Sequence, residues 1–156
     1  MKINLGCGRI HFDDFVNIDI VQYVDGASFN CVDVVMNVEK EKLPYKDGTI
    51  EQIVVNNFLE HVDDLRFVLN ECHRVISDTG WLHGCVPVAM TKLDLRDPTH
   101  RRHFVKETFD YFCGTSQAKP ECPGHPKYAD YGFKPWILQT LIEENNLIYF
   151  QMKPRK

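Results

Sequence analysis

The stretch Asn4-Leu5-Gly6-Cys7-Gly8 constrains the fold of this chain more than any other. A short apolar run from Lys2 to Leu5 ends in two glycines separated by one residue. Glycine tolerates positive φ and lets a backbone come close to a bound group where a Cβ would intrude. A strand that runs into such a turn opens the kind of α/β sheet that receives a nucleotide at its C-terminal edge. Alone the pair is weak evidence, because glycines end many strands. The dinucleotide fingerprint would also place Gly or Ala at position 11, where His11 stands. An acid is expected near the ribose roughly 20 residues on. Asp19 ends the second apolar run and suits that role, since a carboxylate accepts from both ribose hydroxyls.

Six strand-length runs rich in Val and Ile follow one another at about 2–5, 15–20, 31–36, 50–55, 81–87 and 147–152. Between the fourth and fifth, Leu65, Val68, Leu69, Cys72, Val75 and Ile76 share one helical face, with Asp63 and Asp64 at its positive end. The spacing of Ile137, Leu138, Leu141 and Ile142 predicts a second helix over 136–146. Strands alternating with returns over a sheet argue for a mostly parallel α/β domain. The first connections are shorter than the dozen residues of an ordinary parallel crossover, so the early helices are expected to be stubs. Residues 88–135 form a long insertion with one helix near 106–113. Its aromatics Tyr128, Tyr131 and Phe133, with Trp136 just beyond, favour a lid over a bare loop.

At 156 residues, with 44% hydrophobic and 26% charged, the chain suits one domain with one core. A net charge of -4 with interspersed signs offers no broad basic surface, which excludes nucleic acid as the main partner. No membrane span or leader pattern is visible, and a cytoplasmic protein is expected. The six cysteines are scattered and read as reduced thiols. Cys113, Cys122 and His125 lack the paired knuckles of a zinc site, so no metal is expected.

In order, NLGCG, FVNIDI, LPYKDGTIEQIVVNNFLEHV, ECHRVISDTGWLHGCVP and DPTHRRHFVKETFDYF cover nearly the whole chain. This series resembles the small class I S-adenosylmethionine-dependent methyltransferases of the methyltransferase-11 type. The resemblance implies a Rossmann-like doubly wound, mostly parallel sheet of about six strands, with shortened early helices and an insertion after the fifth strand. It places Gly6, Cys7 and Gly8 against the methionine part of the cofactor, Asp19 and Ile20 at the ribose, and Asn37 with Val38 at the adenine. Asn56, Asn57 and Phe58 border the sulfonium, and Leu59-Glu60-His61 leads into the helix. Asn37 stands where the family usually has aspartate, keeping a carbonyl acceptor without the charge.

Methyl transfer from S-adenosylmethionine, leaving S-adenosylhomocysteine, needs a positioned nucleophile and exclusion of water. A general base helps a hydroxyl acceptor, and His100, His61 and His103 are the catalytic candidates. His100 leads, because the segment that carries it follows the C-terminal end of the fifth strand. Arg101 and Arg102 offer donor forks for an anionic acceptor, while Glu71 and Arg74 read as an exposed pair on the helix. The expected acceptor is a small polar molecule such as a sugar or glycan precursor. A non-catalytic binding module and a nicotinamide-dependent oxidoreductase are the alternatives, the latter disfavoured by His11. Thin helical cover on one apolar sheet face points to a homodimer that buries it.

Overall fold

The computed structural model describes residues 1–22, 30–113 and 131–156. Strands β1 (Lys2–Leu5), β2 (Val16–Asp19), β3 (Val34–Val35) and β4 (Ile50–Asn56) precede helix α1 (Leu65–Val75). Strand β5 (Ile76–Pro87) follows α1 directly; α2 (Lys92–Leu95), a 3-10 turn (Lys106–Phe109), α3 (Asp110–Cys113), β6 (Trp136–Glu144) and β7 (Leu147–Pro154) complete the order. The sheet has seven strands in the order β3-β2-β1-β4-β5-β7-β6. Strands β1 to β5 pair in parallel, whereas β7 runs antiparallel to both β5 and β6.

Strand β6 replaces the second helix expected over 136–146 and brings the sheet to seven strands. Leu138 and Leu141 lie three apart, as on a helix, yet both stand on the core side of β6, opposite Met152 and Phe150. A bulge between Leu138 and Thr140 breaks the alternation and brings them to one face. Asn145 and Asn146, both at positive φ (52° and 63°), close the two-residue turn to β7. Pairing with β7 along the whole strand outweighs the helical spacing, since a lone helix over those residues would satisfy none of the β7 edge.

Register sorts the sheet into two unlike faces. Ile3, Ile53, Leu82 and Met152 form one row across four strands, and Val55 and Phe150 belong to the next. These residues are buried in the single core with Leu69 and Cys72 of α1 and with Phe109 and Phe112 of the short helices. The opposite face carries Gln52, His83 and Gln151, with Gln52 hydrogen-bonded to His83 at 2.6 Å and Lys153 stacked 4.0 Å from the Trp81 ring centre. The bare apolar surface expected there is largely polar. On β6 and β7 its exposed apolar members are the paired Ile142 (52%) and Tyr149 (40%).

Among the described residues no helix lies between β1 and β4. The turn after β1 is held to the sheet by Asn17, which is fully buried on β2. Its carboxamide oxygen accepts from Asn4 Nδ2 and the Phe12 amide, both at 3.0 Å. Its nitrogen donates to the carbonyls of Phe12 and Phe15 at 3.1 Å and to Asp33 at 2.9 Å. The Asn17 amide also donates to Asp33 at 2.8 Å. Burial pushes the Asp33 carboxyl up, but these two bonds more than offset it and hold it below its ordinary range. Elsewhere, the Glu71–Arg74 pair is not the exposed contact expected: Glu71 is 8% exposed and accepts from the Leu43 amide. The Arg74 guanidinium donates to the carbonyls of Leu43 and Tyr45 and to Asp47, fixing the loop that enters β4.

Replacing Asn17 with Ala takes a partner from the buried Asn4 side chain and from the part-buried backbone groups of Phe12 and Phe15 at once, a buried group left unpaired costing about 1–3 kcal/mol. Asn17→Ala is expected to lose roughly 3 kcal/mol or more in urea unfolding, against less than about 1 kcal/mol for Gln52→Ala on the half-exposed face.

Candidate active site

At the C-terminal edge of the parallel strands lies a cavity of about 400 Å³, within the size range of small-molecule sites. Its lining includes Gly6, Gly8, Asp19, Ile20, Asn37, Val38, Asn57 and Phe58, all expected cofactor contacts. Cys7 and Asn56 are not on it. Cys7 turns inward, with its sulfur 3.7 Å from the Cys31 carbonyl, and Asn56 borders a smaller hollow on the polar sheet face. Ile18, Met36, Glu39, Val62 and Thr99 also line the cavity; Ile18, Val62 and Thr99 fall within the quoted stretches but carry no signal of their own, and nothing local marks Met36 or Glu39.

Both glycines of the turn have positive φ, 68° at Gly6 and 55° at Gly8. A Cβ on Gly6 would sit 2.2 Å from the Phe58 ring, whereas one on Gly8 would meet no protein atom within 4 Å. Gly6 therefore seats Phe58, and Gly8 leaves open room on the cavity wall. Asp19 accepts from the Gly8 amide at 2.9 Å and from Val21 at 3.3 Å, so one carboxylate links the glycine turn to the end of β2. Asn37 accepts from the Glu39 amide at 3.0 Å, and Glu39 in turn caps the amides of Asp63 and Asp64 ahead of α1. Asp64 caps α1 by accepting from Phe67 at 2.9 Å.

The segment after β4 enters the cavity wall through Asn57, at φ 47°, and continues through Phe58 to His61 and Val62. The insertion locks onto it: the amides of Arg101 and Arg102 donate to the Glu60 carbonyl, and the Arg102 side chain donates to the carbonyls of Val62 and Asp63. Arg102 is thus a structural clamp, while Arg101 lies beside Asp63 at the surface. Of the three candidate histidines, His61 lines the cavity. His100 is set edge to face against it, ring centres 4.8 Å apart, with Nδ1 2.7 Å from the Asp94 carbonyl. His103 places Nδ1 2.9 Å from the carboxylate of the buried Asp94. Burial raises the Asp94 carboxyl, but bonds from His103 and the Met90 amide leave it below the usual carboxylate range.

Glu60 carries nothing in the sequence that distinguishes it from the rest of the lead into the helix. It is fully buried, and neither carboxylate oxygen has a hydrogen-bond partner among the described residues. Burial, reinforced by the charges of Asp97 and Asp94, pushes its carboxyl up to about 7. The five described cysteines are buried, and burial pushes the thiols of Cys7, Cys72 and Cys113 up to about 12. Cys122 and His125, weighed as zinc ligands, and Tyr128 lie outside the described residues. No helix among the described residues is long and apolar enough to cross a membrane.

The methyltransferase domain family, type 11, matches residues 5–83, and the chain belongs to it. An S-adenosylmethionine-dependent methyltransferase from Archaeoglobus fulgidus superposes with TM-score 0.62 at 15% identity, over 97% of this chain and 85% of its own. A Thermotoga maritima protein described as an S-adenosylmethionine-dependent methyltransferase, possible histamine N-methyltransferase, gives 0.62 at 14%, over 99% and 82%. A Haloferax volcanii protein solved in complex with the Trm112 methyltransferase activator gives 0.65 at 9%, over 99% and 82%. No curated protein matches the chain in sequence.

The protein is accordingly an S-adenosylmethionine-dependent methyltransferase with a Rossmann-like sheet. The residues present fit that cofactor: a glycine turn with open room at Gly8, an acid at the end of β2, and an adjoining cavity. Bound there, the cofactor supplies a methyl group already activated on a sulfonium. Gly8→Val is expected to abolish S-adenosylhomocysteine binding in calorimetry while the chain stays folded. Gly6→Ala, which displaces Phe58, is expected to lower the melting temperature as well as the affinity.

Proposed function

We propose that this methyltransferase acts on a hydroxyl oxygen of a small polar acceptor, of the sugar or glycan-precursor class. The observation that carries the reading is the pairing of His61 with Thr99 on the cavity wall, Thr99 being contributed by the insertion after β5. Thr99 Oγ1 donates to Asp97 at 2.6 Å, so at its 3.0 Å contact with His61 it accepts from Nδ1–H. His61 Nε2 then carries a lone pair. His100 is held in the same tautomer, because a carbonyl at Nδ1 only accepts. This corner is rich in lone pairs and poor in protons, as a hydroxyl needs where it sheds its proton. His61 and His100 act there directly, and His103 with Asp94 supports the segment that carries them. Residues 88–113 supply the acceptor-side wall of the expected 88–135 lid; residues 114–130 lie outside the described residues.

Asp19 orients the cofactor by holding its ribose hydroxyls as well as the Gly8 amide. Asp19→Ala is expected to weaken S-adenosylhomocysteine binding by about 1.5–3 kcal/mol, the scale of hydrogen bonds to a charged group. Turnover against a panel of hydroxyl, amine and carbon acceptors tests the acceptor class. His61→Ala is expected to cut methylation of the preferred hydroxyl compound by about 10²–10⁴ with cofactor affinity little changed. Preference for amines would overturn the oxygen assignment.

We also propose a cytoplasmic protein, supported by the thiols of Cys7, Cys72, Cys85 and Cys113, which suit a reducing compartment. It pairs as a homodimer through the exposed Ile142 and Tyr149, with the polar remainder of that sheet face as the rim. Light scattering at micromolar concentration is expected to give the dimer mass, reduced to monomer by Tyr149→Glu; a monomer for the wild type overturns the pairing.

A further inference from the structure

One ligand atom from each of Glu60, His61 and His100 lies within 4.8 Å of the other two. Three features make this more than a chance cluster. Glu60 is wholly buried with two oxygens that no described residue bonds, although uncompensated buried carboxylates are costly. His100 is oriented by the Asp94 carbonyl and His61 by Thr99, and each contact commits Nδ1 as donor and leaves the lone pair at Nε2. Such outer partners are what fix ring and tautomer in metal-binding histidines. The amides of Arg101 and Arg102, both bound to the Glu60 carbonyl, hold the two chain segments together so that the three side chains converge.

A buried carboxylate with no partner among the described residues, beside two imidazoles whose contacts at Nδ1 leave Nε2 free, forms a set that a cation satisfies. We propose that Glu60, His61 and His100 form a binding site for a divalent transition ion, with its open positions toward the cofactor cavity through His61. Two imidazoles and one carboxylate suit Zn²⁺, Fe²⁺ or Co²⁺ rather than Mg²⁺ or Ca²⁺, which prefer all-oxygen sets. Metal–ligand bonds of about 2.0–2.2 Å require the set to contract from its present spread, which rotation of the half-buried His61 ring allows. The proposal rests on reading the His61–Thr99 corner as the place where the acceptor meets the cofactor; with the ion bound, the Nε2 lone pairs of His61 and His100 serve as ligands, and the ion in their place holds the acceptor hydroxyl and eases loss of its proton.

Co²⁺ is the probe, titrated into metal-stripped wild-type protein and followed by its visible absorption, with Zn²⁺ and Mg²⁺ as competitors. One Co²⁺ per chain is expected, displaced by Zn²⁺ and not by Mg²⁺. Glu60→Gln and His100→Asn are expected to weaken uptake more than a hundredfold, and Thr99→Ala about ten- to a hundredfold through His61. His83→Asn, on the polar sheet face, is expected to leave it unchanged. S-adenosylhomocysteine binding by each variant shows that it is folded. A wild-type chain that binds S-adenosylhomocysteine but takes up no Co²⁺ overturns the site, as does uptake unaffected by Glu60→Gln and His100→Asn. Uptake as expected together with methylation of amines alone supports the site and overturns the hydroxyl reading.

Discussion

The carboxamide of Asn17 does for this small domain what a helix does in larger α/β sheets. A parallel crossover ordinarily returns over the sheet through a helix that buries backbone polar groups within itself. The connection between β1 and β2 is too short for one, so its carbonyls and amides need partners from the sheet. Asn17 supplies them from a fully buried position, bonding Asn4, Phe12, Phe15 and Asp33 at once. The glycine turn stays where β1 delivers it, and Asp19, two residues on, is held at the same edge.

The rest of the site depends on a second set of anchors. Phe58 fits only because Gly6 has no side chain, and the chain beyond it is tied to the insertion by the Glu60 carbonyl and the Arg102 guanidinium. The glycine-turn wall of the cavity and the Thr99 wall are thereby joined through the Phe58 ring and these hydrogen bonds rather than through a helical layer. One consequence is electrostatic. The corner holding Glu60, His61 and His100 is lined by groups that accept protons or cations, next to the cavity at the C-terminal edge of the sheet.

The polar sheet face has the same origin. With no helix among the described residues to cover β4, β5 and β7 on that side, apolar side chains there would face water. The chain places Gln52, His83 and Gln151 in alternation with the core residues Ile53, Leu82 and Met152. This period of two was legible in the sequence of β7 and less so in β6, where the bulge at Leu138–Thr140 mimics a helical spacing. The Asn145-Asn146 turn was the available sign of a hairpin, since asparagine tolerates positive φ better than most residues.

The sequence by itself determined the class of the fold, the strand-to-glycine turn, the acid at the end of β2 and the long helix after β4. Each is a local matter of side-chain period, φ tolerance or charge within a few residues. Tertiary structure decided that β6 is a strand, because strand pairing is non-local and outweighed the intrinsic spacing of residues 136–144. It also decided which histidine meets the cavity and that Glu60 is buried without a partner. Those facts come from contacts between segments some 40 residues apart, Glu60 with Arg101 and His61 with Thr99, which no local pattern encodes.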